Sequence, residues 1–132
     1  MNSYNITYPL KDDNSTGTLF STNRVTKDSY SSNLLLLLLT QRGERYYNSE
    51  YGTNLIKYIF EPNDNLTSND IEEEIKNTVS LYIPELKITS VTFNSVNDQD
   101  GNKISDNQLN VNVKFVYSEG ILNEVGNLDI NF

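Results

Sequence analysis

The stretch LLLLLLTQRGERYYNSEYGTNLIKYIFEPND, residues 34–64, is the most densely patterned part of this 132-residue chain. It opens with six consecutive leucines and closes with FEPND at residues 60–64. Between them lies a polar segment, punctuated by glycine, that carries Arg42, Glu44 and Arg45. An apolar run, a polar glycine-containing segment and a second apolar run predict two helices joined by a loop.

The leucine run predicts a helix over residues 27–41, with Asp28 or Ser29 accepting hydrogen bonds as its N-cap. The expected main apolar stripe consists of Leu34, Leu35, Leu38 and Leu39, with Leu36 and Leu37 on the other face. A helix that is apolar on all sides must be covered on more than one side. Two interpretations stay open: a central core helix covered by its own domain, or a helix with one side against another protein.

The segment 41–51 is predicted to be a loop, with Gly43 ending the helix because glycine adopts the left-handed cap conformation without strain. Its charged residues alternate in sign: Arg42, Glu44 and Arg45, with Glu50 close by. One interpretation is a set of solvated ion pairs, each worth about 0–1 kcal/mol. The other is an arginine fork that holds a carboxylate across the loop or on a partner.

Two further helices are expected. A short one starts at residues 52–53 with Thr53 as N-cap and stops at Pro62. A longer one follows a turn at residues 63–65, with Thr67 and Asp70 approximating a capping box. Its apolar stripe consists of Ile71, Ile75, Val79 and Tyr82, and it ends before Pro84.

After Pro84 the apolar period changes from about 3.6 residues to 2, which is typical of strands. Residues 86–93 predict a strand with a phase slip near residues 89–90, consistent with a β-bulge. Residues 98–107 predict a hairpin loop, residues 109–117 a second strand and residues 121–132 a third. The predicted fold is therefore α+β, with three N-terminal helices packed on a C-terminal three-stranded antiparallel meander.

Composition limits the function classes. The net charge of −8 argues against nucleic-acid binding. The leucine run is far shorter than the roughly 20 apolar residues that span a bilayer. The chain has no cysteine and no histidine, so we expect no thiolate metal site, no other metal, no cofactor and no histidine base.

The length predicts one domain over residues 28–132, preceded by an arm at residues 1–27 that is either flexible or ordered against a partner. The last strand lacks proline and lysine, so its edge is a candidate for strand addition. The alternatives are an edge covered by the arm and an edge left unoccupied.

Carboxylate pairs could support glycoside hydrolysis. The candidate pairs are Glu44 with Glu50 and Glu44 with Glu61, and both lie among arginines. Nearby positive charge lowers a carboxyl pKa, whereas a general acid needs a raised one. No catalytic residue is therefore predicted, and the chain is not expected to be an enzyme.

The segments LTQRGER at residues 39–45, EYG at residues 50–52 and FEPND at residues 60–64 resemble the baseplate wedge family of contractile phage tails. That family, historically called lysozyme-like, includes sheath-initiator proteins and a type VI secretion counterpart. The resemblance covers about residues 28–132. Ser49 stands where the family often has proline. Residues 82–85, YIPE, stand where many members carry Glu-Pro-Arg, so only Pro84 carries over.

The resemblance implies a structural virion protein of the tail baseplate, assembled in the host cytoplasm. The implied partners are other baseplate wedge proteins and tail sheath subunits, with the tail tube or central hub as further candidates, and neither nucleic acid nor membrane. The implied wedge contacts are Leu35, Leu38, Arg42, Gly43, Glu44, Arg45, Glu50, Tyr51, Gly52, Phe60, Glu61, Pro62 and Pro84. The implied sheath pairing involves Leu128, Ile130 and Phe132. The alternatives are a peptidoglycan-cleaving tail enzyme and a wedge adaptor in a tail without a contractile sheath.

Overall fold

The computed structural model describes residues 5–12, 19–23, 25–58, 65–94, 110–119 and 121–131. Its elements, in chain order, are β1 (Asn5–Ile6), β2 (Thr22–Asn23), α1 (Thr26–Leu39), α2 (Leu55–Tyr58), α3 (Asn65–Tyr82), β3 (Leu86–Asn94), β4 (Asn110–Glu119) and β5 (Leu122–Asn131). The predicted mixture of helices and a C-terminal three-stranded antiparallel sheet is confirmed, in the order β3-β4-β5. Within these residues, no helix is both long and apolar enough to cross a membrane.

Helix α1 begins one turn earlier than its predicted caps require. Val25 occupies the N-cap position without a side-chain hydrogen bond, so the predicted caps Asp28 and Ser29 are wrong and both lie in the helix. The helix ends at Leu39, and the N–H and hydroxyl of Thr40 both donate to the carbonyl of Leu36, at 3.1 and 2.6 Å. Gly43 therefore does not end the helix, because a threonine in extended conformation already satisfies the terminal carbonyl.

The leucines of α1 divide into a buried and a half-buried set. Leu34, Leu37 and Leu38 are buried at the i, i+3, i+4 spacing of a single helix face. The other three, Leu35, Leu36 and Leu39, are half-buried. The predicted main stripe is thus wrong for Leu37, which was expected on the other face but is as deeply buried in the core cluster as Leu34 and Leu38.

Helices α2 and α3 also start differently from their predicted caps. Asn54, not Thr53, precedes the first residue of α2. Helix α3 begins at Asn65, so Thr67 lies inside it and the predicted capping box is wrong. The α3 stripe is confirmed, with Ile71, Ile75 and Val79 buried, and the helix ends at Tyr82 as predicted. Residue 65 of the predicted turn is the first residue of α3, whereas its residues 63–64 and the stop at Pro62 fall on residues 59–64, which lie outside the described part of the chain.

The C-terminal sheet supplies the other half of the core. Strand β3 pairs with β4 through a register shift between Ile88 and Ser90, which confirms the predicted bulge. Strand β4 pairs with β5 without interruption from Asn110 opposite Asn131 to Glu119 opposite Leu122. Helices α1 and α3 contact β5 and β3 respectively. The inward side chains of β4 are buried in the core: Val111, Val113, Phe115 and Tyr117.

The first 27 residues, predicted as an arm, contain a small sheet in their described part. Strands β1 and β2 are antiparallel, with Asn5 opposite Asn23. The amide of Asn5 donates to the side-chain oxygen of Asn33 at 2.8 Å, and that of Asn23 donates to the Ser32 hydroxyl at 2.9 Å. These bonds attach the small sheet to α1. The predicted boundary at residue 27 stays a prediction.

Candidate functional site

The loop between α1 and α2, residues 40–54, contains the central sequence motif and is called the motif loop below. Its two ends are joined by a parallel bridge between Gln41 and Thr53. The N–H of Arg42 donates to the carbonyl of Thr53, and the N–H of Thr53 donates to the carbonyl of Thr40, both at 2.9 Å. The buried Thr53 hydroxyl donates to the carbonyl of Leu38 at 2.9 Å instead of capping α2. The motif loop is therefore closed by its backbone.

The two glycines of the motif loop both have positive φ angles, but their surroundings differ. Gly52 has φ +118°, and a Cβ atom there would lie 2.4 Å from the carbonyl oxygen of Thr40. Gly43 has φ +91° and open space around the same position. Gly52 thus combines a backbone conformation that favours glycine with a close approach that only glycine allows.

The charged residues of the motif loop form no ion pair with one another. The carboxylate of Glu44 accepts from the N–H of Gln41 at 3.1 Å, and the Glu44 N–H donates back to the Gln41 carbonyl at 3.0 Å. Among the described residues, the one ion pair joins Lys76 to Glu72. Both interpretations that place ion pairs or an arginine fork within the loop are therefore wrong, since Glu44 is used as a backbone acceptor.

An aromatic stack connects the motif loop to the end of α3. The guanidinium carbon of Arg45 lies 3.9 Å from the ring centroid of Tyr51, and the Tyr51 and Tyr82 rings meet edge to face at 5.0 Å. The Tyr82 hydroxyl donates to the carbonyl of Glu50 at 2.8 Å. Burial raises the pKa of Tyr51, Arg45 opposes that shift, and Tyr82 adds to it. Tyr51 and Tyr82 also line a cleft of about 330 Å³ together with Ile83 and Glu85, and Pro84 is exposed.

The tip of the motif loop exposes an aromatic pair that the sequence prediction missed. Tyr46 and Tyr47 are 93% and 96% exposed, and their rings meet edge to face at 5.2 Å. The signal was two adjacent tyrosines within an otherwise polar loop. The predicted contact residues Arg42, Gly43, Glu44, Arg45 and Glu50 are also exposed, whereas Tyr51 is half-buried and Gly52 is buried.

The predicted contacts on α1 differ in accessibility. Leu38 is 1% exposed, so its side chain packs in the core of this chain, and a wedge contact at Leu38 stays a prediction. Leu35 is half-buried and lines a cavity of about 320 Å³ between α1, the N-terminal residues and Leu128 of β5. Three predicted contacts, Phe60, Glu61 and Pro62, and the sheath-pairing residue Phe132 lie outside the described residues.

A second cleft, of about 370 Å³, separates the motif loop from α3. Arg42, Asn54 and Tyr58 line one side, and the α3 side carries Asp70, Glu73, Glu74, Asn77 and Thr78. The N–H of Asn54 donates to the Glu74 carboxylate at 2.6 Å. Burial raises the pKa of Tyr58, and the neighbouring Glu74 raises it further. Within the described ranges, no group of three or more acidic, histidine or cysteine side chains is arranged to hold a metal ion.

Strand β5 is one of the two edge strands of the C-terminal sheet, and β3 is the other. Strand β5 pairs with β4 on one side, and the described residues provide no strand on its other side. Leu128 is half-buried and Ile130 is buried, so both side chains face the core and leave the backbone of β5 as the accessible feature. The described N-terminal residues add no strand to β5, because β1 and β2 pair with each other, although Thr7, Tyr8 and Lys11 line the same cavity as Leu128.

This geometry can be set against known proteins. A solved structure of the anti-feeding prophage baseplate, six-fold symmetrised, is 17% identical to this chain, with a TM-score of 0.65, and the match covers 88% of this chain and 86% of that one. A crystal structure from Geobacter sulfurreducens, described as a candidate tail lysozyme, is 19% identical with a TM-score of 0.62, covering 80% and 90%. These likenesses show the fold.

No curated protein matches the chain. The family model described as "Baseplate wedge protein gp25" matches residues 25–119, from the residue before α1 to the end of β4. That span contains the motif loop, both long helices and two strands of the sheet. The chain therefore belongs to the gp25 family of baseplate wedge proteins.

Proposed function

We propose that this chain is a structural baseplate protein that binds other wedge subunits through the motif loop and starts the tail sheath at the edge of β5 that no described strand occupies. Membership of the wedge family supports the structural role and a place in a virion tail baseplate. The observation that carries the sheath proposal is β5 itself, a regular ten-residue strand paired on one side. Its partners would be wedge proteins and sheath subunits, with the tail tube or hub as further candidates.

The exposed part of the motif loop supports the wedge contact. Arg45 is held against Tyr51 by its flat face, which leaves the N–H groups at the edge of the guanidinium open to a partner carboxylate. Arg42 is exposed and forms no ion pair among the described residues. Of the two versions of the arginine-fork interpretation, the one that remains has Arg42 and Arg45 donating to a carboxylate on a partner protein.

The two edges of the sheet differ, and the difference favours β5 for strand addition. Strand β3 carries a bulge between Ile88 and Ser90, and bulges disrupt pairing at sheet edges. Strand β5 has no register shift along its length. An incoming strand could therefore pair with β5 over most of that length through main-chain hydrogen bonds.

The peptidoglycan-cleaving alternative has no observation in its favour. Glu44 is exposed and accepts a backbone N–H, and Glu50 is exposed as well. The lysozyme description belongs to a protein 19% identical to this one, a likeness that extends to the fold alone. A non-enzymatic role is accordingly part of the proposal, as is assembly in the host cytoplasm.

A site-specific cross-link tests the sheath contact. The chain has no cysteine, so a cysteine introduced as Asn127→Cys on β5 can be labelled uniquely with a benzophenone reagent. In purified particles, irradiation should join this position to a sheath subunit, identified by mass spectrometry. The matched control, Asn69→Cys on the exposed surface of α3, should not capture sheath.

Capture of wedge proteins alone from Asn127→Cys, in particles that carry a complete first sheath ring, would contradict the proposal. Truncation of β5 is a poorer test, because Ile130 is buried in the core and its loss would disturb the fold.

A further inference from the structure

The turn between β4 and β5 exposes a group of aliphatic side chains. Ile121, Leu122 and Val125, called the hairpin tip below, are 102%, 69% and 64% exposed. They stand out in a chain of mean hydropathy −0.53 and net charge −8. These three residues lie within five positions of one another at a single turn, and exposed apolar side chains grouped in this way are candidates for an interaction site.

The two strand residues of the hairpin tip lie on opposite faces of the sheet. Side chains alternate along a strand, so Leu122 shares a face with the buried residues Gly126 and Ile130. Val125 lies on the other face, opposite Val116 of β4. The outer face beyond it is polar: Asn127 is exposed, and the amide of Asn112 donates to the carboxylate of Asp129.

This two-sided exposure restricts what could cover the tip. A helix or a second sheet that packs on one face would bury either Leu122 or Val125, but not both. A strand added beside β5 has side chains on both faces, within about 4.5–5.5 Å of its neighbours' Cβ atoms. One added strand therefore covers both residues at once.

We propose that the hairpin tip is the apolar anchor for a sheath strand added to β5, an inference that rests on the function proposed above. That strand is apolar on both faces beside Leu122 and Val125. Beside Asn127 and Asp129 it is polar on its outer face. Backbone pairing along β5 supplies the attachment, and the apolar end fixes the register, because a one-residue slip would exchange the two faces.

The test measures binding of purified sheath subunit to purified baseplates that carry single substitutions. Leu122→Gln and Val125→Thr should each weaken the apparent affinity roughly tenfold, the change expected when an aliphatic side chain loses its burial in a complex. The matched control is Val25→Thr, which makes the same change as Val125→Thr at an exposed valine that precedes α1 and is not part of the proposed contact. It should leave the affinity unchanged.

The pattern of losses decides the outcome. Weakening by only one of the two substitutions would overturn the inference, because it indicates a partner on one face. Weakening by neither, with the Asn127→Cys cross-link to sheath still formed, would overturn the inference but leave the proposed function standing. The wild-type protein could instead dimerise by itself, while the two variants are monomeric and bind sheath with unchanged affinity. The hairpin tip would then be a contact between two copies of this chain, and the inference would be overturned.

Discussion

The motif loop and the hairpin tip use their side chains in opposite ways. In the motif loop, Gly52, Thr53 and Glu44 all serve the local backbone, through a close approach, a donated hydroxyl and an accepted N–H. In the hairpin tip, Leu122 and Val125 are largely exposed on opposite faces of the sheet. Much of the densest motif in the sequence thus builds the fold, whereas the exposed aliphatic residues of the hairpin tip lie in a segment without any motif.

The largest loss of stability is expected at Gly52, which tests whether the motif loop serves the fold. Gly52→Ala should lower the free energy of unfolding by about 3 kcal/mol or more, because a positive φ and a clash with the Thr40 carbonyl add together. Urea unfolding followed by circular dichroism measures the loss. Gly43→Ala is the matched control and should cost about 1 kcal/mol, since its φ is also positive but its surroundings are open. Equal losses at both glycines would show that the close approach is unimportant.

A smaller loss is expected at Thr53. Thr53→Val keeps the shape of the side chain but leaves the buried Leu38 carbonyl without the hydroxyl that donates to it, at a cost of about 1–2 kcal/mol. Thermal unfolding compares this variant with Thr92→Val, which makes the same change at an exposed position of β3. If the two variants melted together, the hydroxyl would not be closing the motif loop.

The dependence of stability on alkaline pH tests the burial of Tyr51 in the aromatic stack. Burial raises the pKa of Tyr51 above its ordinary 10.0, so folding favours the neutral ring. Its contribution to stability is fully present below pH 10 and is lost as the pH rises through the higher pKa of the folded state. Tyr51→Phe should therefore reduce the loss of stability above pH 10, measured as urea midpoints across a pH series.

The matched control for that series is Tyr47→Phe, whose side chain is almost fully exposed. If the two variants lost the same amount of stability above pH 10, ionisation of Tyr51 would not be the cause of that loss.

The smallest change in stability is expected at the hairpin tip. Leu122→Gln and Val125→Thr should each alter the free energy of unfolding by less than about 0.5 kcal/mol, because neither side chain packs in the core. Differential scanning calorimetry on the isolated protein provides the measurement. A loss near 2 kcal/mol for either variant would mean that the tip has an internal packing role, and the contrast with the motif loop would disappear.

Local periodicity predicted much of the fold. The stripe of α3, the alternation of β4 and the bulge in β3 depend on neighbouring residues, and all three are confirmed. The predicted caps failed because tertiary contacts competed for the same groups, as when the Thr53 hydroxyl donates to Leu38, fifteen residues away. Burial of Leu37 likewise depended on how the rest of the domain packs around α1, which a run of six leucines does not indicate.

The site was harder to predict than the fold. The sequence placed Arg45 and Tyr51 in one motif, but the contact of Tyr51 with Tyr82 joins residues far apart in the chain. The predicted ion pairing of Glu44 depended on the distances between its carboxylate and the arginines of the motif loop, which sequence spacing does not determine. Exposure of the hairpin tip was also hidden, because Leu122 and Val125 continue an ordinary strand pattern that does not indicate which of its apolar residues the rest of the domain covers.

The bulge between Ile88 and Ser90 has a consequence for how many molecules one copy can recruit. A sheet with two regular borders could grow in both directions, and its copies could join into open-ended fibres. Here the β3 edge carries a bulge and the β5 edge is regular, so we expect each copy to pair with a single additional chain. The number of sheath molecules in the first layer would then equal the number of copies of this protein in the particle, a ratio that can be counted directly.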